Sequence, residues 1–376
     1  MIYGVQVAGS TLLRKRSVVL YRYDISEEVV ADIRKRLHFY APSISDKVVE
    51  VDNWFFWRLL TTDPLLITGV ATGLVKLLLK LRRNTYYVDS GRNPFDCDAW
   101  RSLSCDFGSA TVDIIAVQQE FIQYVQRIHQ SQGYTRVYLF GTGPSLERAM
   151  DHKWDDGYRV VCNTIVRDKA LWNHINPHFF VAADTIYHFE HTAFARKFRE
   201  DLKKRLSETD TKFMYPLFAR EIIFREFSEF QDKLMPFPMG NHKLIYGDLR
   251  ENFSFPYLGN ALTSFMLPLG CTLAKNVYLW GFDGRALSDK LLWSHSSKHY
   301  YSELEEEMMK AHPAFFSARS SKDKFDAYVK NALGDRLENN LQEAERLGWH
   351  FHMLHDSNTP ALQKRRAKWP DAKRDV

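Results

Sequence analysis

VYLFGTGPSL, residues 137–146, is the stretch that decides the fold. Its apolar run Val137–Phe140 reads as a strand buried on both faces, and the glycine-rich turn behind it opens into a helix. In open parallel α/β sheets, ligands sit beyond the carboxyl ends of the strands, where a helix N-terminus favours an anion such as phosphate. Gly141 and Gly143 permit close backbone approach, Pro144 suits a first helical position, and Thr142 and Ser145 bring hydroxyls. The same residues also suit a plain tight connection between strand and helix.

Working outward, short apolar runs alternate with helical patterns. The strand candidates are 137–140, 158–162, 179–183, 212–217, 276–280 and 349–354. This alternation predicts an α/β fold of the Rossmann kind, a parallel sheet with helices on both faces. An amphipathic helix is expected along Phe325, Val329, Leu333, Leu337, Leu341 and Ala344, and the tail from Gln363 reads as basic and solvated. The expected division is an N-terminal α+β region over 1–130 with an accessory, acceptor or membrane-association role, a nucleotide-binding catalytic domain over 131–362 and a tail over 363–376. Within the N-terminal region, 17–23 reads as a strand and 26–40 as a helix capped by Asp24 or Ser26. Residues 65–83, LLITGVATGLVKLLLKLRR, read as a core or interface helix, or one lying on an anionic membrane, and 87–108 as loop.

The turn excludes two nucleotide motifs. Leu146 stands where a dinucleotide fingerprint has its third glycine, the next strand ends in Asn163 rather than an acid, and no Gly-Lys-Ser/Thr follows for a P-loop. Successive strand ends instead carry Thr142, Asn163 and Asp184, which a parallel sheet brings to one crevice. Taken singly, Asn163 also suits a turn and Asp184 a helix N-cap.

The order GTGPSL (141–146), CN (162–163), AAD (182–184), LTS (262–264), GFDG (281–284) and SHS (294–296) resembles the bacterial lipooligosaccharide sialyltransferases, glycosyltransferase family 42, and the wider sialyltransferase-like group. The resemblance spans 137–362. It implies a modified Rossmann domain and a metal-independent, cofactor-free transfer of a keto-sugar acid, sialic acid or Kdo, from a CMP-activated donor to an oligosaccharide or lipid-linked acceptor. It places Thr142, Asn163, Thr263 and Ser264 at the donor, with Asp184 facing it and His295 as general base; Gly141, Gly143, Pro144, Ser145, Asp283 and Arg285 are further candidate substrate-binding residues. Histidine suits that role because its pKa lies near working pH, although a solvated loop residue fits the same spot. The family's phosphate-holding tyrosines are missing from 284–294, leaving Arg285, Lys290, His299 or Tyr300 as substitutes. Asp184 stands where the family tends to have an amide, and a carboxylate there suits a nucleophile or a base.

Alternatives are a pyrophosphokinase or flagellin-glycosylation accessory protein of the GxGPSL type, and a non-catalytic binding module. The 376 residues are 45% hydrophobic and 26% charged with a net charge of +5, which fits a globular protein with anionic ligands and does not by itself imply nucleic acid. Four cysteines without a CxxC pair, and no signal-like opening, lead to a cytoplasmic expectation, with peripheral membrane association through 65–83.

Overall fold

A computed structural model describes residues 18–21, 26–51, 64–68, 84–285, 296, 298–319 and 333–369. The chain forms two units, Met1–Gly108 and Ser109–Val376. In the first, β1 (Val18–Tyr21), β2 (Val48–Val51), β3 (Leu65–Ile67) and β4 (Thr85–Tyr87) lie in the order β2-β1-β3-β4 with parallel pairing throughout, where an α+β region was expected. Helix α1 (Glu27–Tyr40) begins at Ser26, whose hydroxyl accepts the Val29 amide. Helix α2 (Asp96–Phe107) packs Trp100 flat against Tyr40 at 5.6 Å, and buried Arg36 bridges Asp32 and Asp96.

Two expectations change here. The segment 87–108 is not all loop, because α2 occupies most of it; Asp96 and Ser104 lie on its buried face, which blurs the apolar stripe. Leu65–Ile67 is a buried strand rather than the start of a helix, since a short continuous apolar run is the signature of a parallel strand as much as of a helix. Residues 69–83, with the basic half of the membrane suggestion, lie outside the described residues. Among the described residues no helix is long and apolar enough to cross a membrane.

The second unit opens with α3 (Ile114–Gln132), capped by the Asp113 carboxylate. The strands β5 (Arg136–Phe140), β6 (Tyr158–Cys162), β7 (Phe179–Val181), β8 (Lys212–Pro216) and β9 (Leu234–Phe237) follow, then a two-residue pair β10 (Met239–Gly240) and β11 (Phe255–Pro256), then β12 (Asn276–Trp280) and β13 (His350–Met353). The main sheet runs β13-β12-β5-β6-β7-β8-β9 with every pairing parallel. Strand order therefore reverses between β5 and β12, which is where such sheets hold ligands. Strand β9 was not foreseen: Pro236 interrupts its pattern, and an edge strand tolerates that.

Side chains alternate between two cores. Val137, Leu139, Val160, Phe179, Val181 and Met214 pack with Phe121 and Val125 of α3 and with the buried helical run Leu262–Leu273. On the other face Phe180 meets Trp172 of α4 (Lys169–Ile175) and Phe198 of α5 (Ala193–Glu208). Helix α3 thus belongs to the second unit, whose first residue is Ser109. Of the run Leu262–Leu273, residues Leu267–Leu273 form α6; helix α7 (Asp335–Arg346) buries Leu337, Leu341 and Ala344 of the expected stripe, while Phe325 and Val329 lie outside the described residues.

The tail is docked rather than frayed as far as Trp369, while Gln363, Lys364, Arg366 and Lys368 stay exposed as a basic tail would. The Ala367 amide donates to the Met353 carbonyl and the Met353 amide to Arg365, so the chain runs on beside β13. Arg365, 9% exposed, forks onto both oxygens of Glu345 at 2.6 and 2.9 Å and reaches Glu338 at 2.9 Å. Breaking a largely desolvated guanidinium–carboxylate pair leaves charges without partners. Arg365→Ala should lower unfolding free energy by about 2 kcal/mol and open the chain beyond Gln363 to trypsin; unchanged urea midpoints and cleavage patterns would refute the docking.

Candidate functional site

All seven strands of the main sheet end on one edge, and the site is built from the turns there. The Gly141 amide donates to the Trp280 carbonyl and the Gly143 amide to the Gly281 carbonyl, each at 2.8 Å. The Ser145 amide and hydroxyl both donate to Asp283, at 3.1 and 2.5 Å. A Cβ on Gly141 would stand 2.6 Å from the Gly281 oxygen, and one on Gly281, whose φ is +75°, 2.3 Å from the Gly141 oxygen. One on Gly143 would meet the Asp283 carboxylate at 2.2 Å. The glycines thus admit a neighbouring turn, where the sequence expectation was a phosphate. The anion at the start of the helical turn Pro144–Asp151 is the protein's own Asp283.

A second clamp holds the GFDG turn from its other side. The Gly281 amide donates to His355 Nε2 at 2.8 Å, so Nδ1 carries the proton and donates to the Asp356 carbonyl. Ser357 donates to the Phe282 carbonyl and the Asn358 amide to that of Asp283. Burial lowers the pKa of His355 despite the nearby Asp283, and the neutral ring is the form that accepts.

Beyond β5, the segment that follows position 295 crosses the strand ends. The Ser296 amide donates to the Thr142 carbonyl at 3.0 Å, and its hydroxyl to Glu147 at 2.7 Å. His299 joins Ser296 (2.7 Å) to Asp168 (3.0 Å), a residue that also caps α4. Arg167 donates to the Tyr300 carbonyl and to Glu303. Tyr300 donates to Glu305; burial raises its pKa, with Tyr187, Glu305 and Asp184 adding to the rise. His299 and Tyr300 are therefore committed within the protein and do not serve as substitute phosphate ligands. His295 and Lys290 lie outside the described residues, and Arg285 is half-buried just past the GFDG turn.

Asn163, at the end of β6, adopts φ +53°, and its side-chain amide has no hydrogen-bond partner among the described residues. The next hydroxyl, Thr164 Oγ1, is buried and also lacks one. Asp184 caps the turn Thr185–Phe189 by accepting the Ile186 amide at 3.0 Å, yet it stays exposed, and its own amide donates to His188 Nδ1. The helical run Leu262–Leu273 feeds β12 and so runs against the strands, which brings its N-terminus to the same edge. There Ser264 is spent on the Leu258 amide, whereas Thr263 Oγ1 and Asn260 Nδ2 are buried without partners among the described residues. Asn260 escaped the sequence reading, although its spacing before Thr263, whose amide its Oδ1 accepts at 2.9 Å, is that of an N-cap.

The second unit is thus a doubly covered parallel α/β domain with uncommitted polar groups at the ends of its strands. No family model matches the chain, and no curated protein matches it. Among solved structures, the sialyltransferase CstII from Campylobacter jejuni, in complex with the substrate analogue CMP-3FNeuAc, is similar at 13% identity, over 61% of this chain and 88% of that one, with a TM-score of 0.27. A score that low pairs no residues on which a role can rest.

Two predictions follow from this geometry. Gly281→Ala forces a Cβ into the Gly141 carbonyl at positive φ and should cost about 3 kcal/mol, measured by urea unfolding; a near-neutral change would break the contact assigned to it. Burial lowers His178 and His188 from 6.5 to about 3, and each accepts a backbone amide, from Arg159 and Asp184. The unfolded chain takes up these protons first, so stability should be full above pH 6.5 and fall on acidification, by about 2 kcal/mol per histidine at about pH 5. Equal unfolding midpoints at the two pH values would contradict this.

Proposed function

We propose that residues 109–376 form a glycosyltransferase that moves a keto-sugar acid, sialic acid or Kdo, from a CMP-activated donor to an oligosaccharide or lipid-linked acceptor of a bacterial surface glycan. The observation that carries the reading is the set of uncommitted polar side chains at the sheet edge: Asn163, buried Thr164 and Thr263, and Asn260. Buried polar groups without partners are costly, and a polar ligand removes the cost. The amide and hydroxyl groups here are neutral donors and acceptors, which suits a pyrimidine base and ribose better than a triphosphate. The order of motifs along the chain supports the same class.

In the transfer, a base takes the acceptor hydroxyl proton, the oxygen attacks the anomeric carbon, and the bond to the donor phosphate breaks with its electron pair leaving on CMP. Asp184 is the described carboxylate for this work, exposed and oriented by the Ile186 amide. It serves as base in a one-step inverting reaction or as nucleophile in a two-step retaining one. His295 is the other base of the proposal. Arg285, beside the Asp283 turn, is the cation for the departing phosphate.

Calorimetry with CMP, UMP, GDP and ADP tests the class: CMP should bind, and selective binding of ADP or GDP without CMP would sink it. Asn163→Ala and Thr263→Val should each weaken CMP by about tenfold. Asp184→Asn keeps the cap through its amide oxygen, and should lower kcat by about a hundredfold with CMP affinity unchanged. A kcat that survives the substitution removes Asp184 from the reaction. Activity that disappears in chelator and returns with magnesium would favour the pyrophosphokinase alternative.

A further inference from the structure

On the other side of the glycine turn from Asn163, a cavity of about 530 Å³ opens where β12 and β13 end, roofed by the docked tail. Its walls bring together Arg148, Trp280, His355, Arg366, Lys368 and Trp369. The position is outside the uncommitted polar groups of the donor site, and no step of the proposed transfer uses it. Its volume is that of a small-molecule site.

The lining is cationic. Arg148, Arg366 and Lys368 face a single carboxylate, Asp356, which pairs with Arg366 at 3.1 Å and is itself 86% exposed. Among the described residues Arg148 and Lys368 have no carboxylate partner. Arg148 and Arg366 line the same cavity as His355, and both add to the burial that lowers its pKa. His355 itself is held neutral by the Gly281 amide, leaving the cavity's charge to the arginines and the lysine.

The apolar walls narrow the occupant further. His152 lies flat on Trp369 with ring centroids 3.9 Å apart, and Trp154 and Trp280 meet Trp369 edge-on at 4.8 and 5.7 Å. The rings are closed on one another, so the stack leaves no slot between His152 and Trp369 for a flat base. A sugar needs only C–H contacts along an aromatic wall, with its polar substituents turned to the charged groups.

We infer that this cavity binds an acidic sugar unit, a pyranose bearing a phosphate or a carboxylate, and that, granted the glycosyltransferase reading above, it is a subsite for an anionic acceptor glycan. Arg148 and Lys368 bind the oxyanion, and Trp280 and Trp369 flank the ring. The tail thereby completes the site, since the Arg365 pairs on α7 and the backbone bonds to Met353 hold Arg366, Lys368 and Trp369 against it.

The test uses the full chain and reads tryptophan fluorescence and calorimetry with glucose 6-phosphate, glucuronate, glucose, inorganic phosphate and CMP. Glucose 6-phosphate or glucuronate should bind, with glucose and inorganic phosphate weaker by about tenfold or more. The double variant Arg148→Ala, Lys368→Ala should lose about tenfold or more in acidic-sugar affinity while CMP binding and the thermal midpoint stay unchanged, and Arg148→Lys should recover part of it. No binding of either acidic sugar, wild-type affinity in the double variant, inorganic phosphate binding as tightly as the sugar phosphate, or displacement of the sugar by CMP would each overturn the site. Wild-type protein that binds acidic sugar but not CMP upholds the site and overturns only the donor reading on which its acceptor role rests.

Discussion

The contact between Gly141 and Gly281 is the constraint on which the rest of the second unit depends. Two parallel strands at the point of reversal bring their terminal turns together until backbone meets backbone, and neither position has space for a Cβ. The Asp283 carboxylate then binds the Ser145 amide and hydroxyl, and His355 holds the Gly281 amide from behind. A helical turn's N-terminus and an internal carboxylate satisfy each other, so the turn's positive end does not wait for a phosphate. The groups proposed above for ligands lie to either side of the joined turns.

Much of this fold was legible because buried parallel strands announce themselves as apolar runs. Tyr158–Cys162 and Asn276–Trp280 stand where the runs placed them, and the helices between them follow from length and periodicity. The misses share a cause, polar or breaking residues inside ordered elements. Pro236 hid β9, Asp96 and Ser104 hid α2, and the charges of QKRRAK hid a docked tail in which Arg365 is tied to two glutamates. Composition reads a run of arginines as solvated; only the register of Glu338 and Glu345 on one face of α7 shows otherwise.

The sheet edge on which the candidate residues stand was legible, and what each of their side chains is bonded to was not. That Thr142, Asn163 and Asp184 end successive strands of one sheet follows from sequence, and their edge is the one to which Thr263 is brought. What the glycines approach is a tertiary fact, because Asp283 lies 138 residues from Ser145. Likewise, no pattern separates Ser264, whose hydroxyl is used by the Leu258 amide, from its neighbour Thr263, whose hydroxyl is buried and unused. The two hydroxyls differ in that one is already used by the fold and the other is not.

The same accounting divides the edge chemically. On the β6 side the uncommitted groups are amides and hydroxyls, which discriminate by hydrogen-bond pattern and carry no net charge. On the β13 side they are guanidinium and ammonium groups, which attract an anion with little regard to its pattern. If the proposed transfer holds, reading a base and holding an acidic chain call for both kinds of recognition, and mixing them in one pocket would let either anion occupy the other's seat. The joined glycine turns, with Asp283 between the two sides, supply a barrier that is covalently continuous with both and carries negative charge of its own. On the proposed reading, an anion crossing from the cationic cavity toward Asn163 would meet the Asp283 carboxylate, fixed by two hydrogen bonds from Ser145, and the donor and acceptor sites would stay separate.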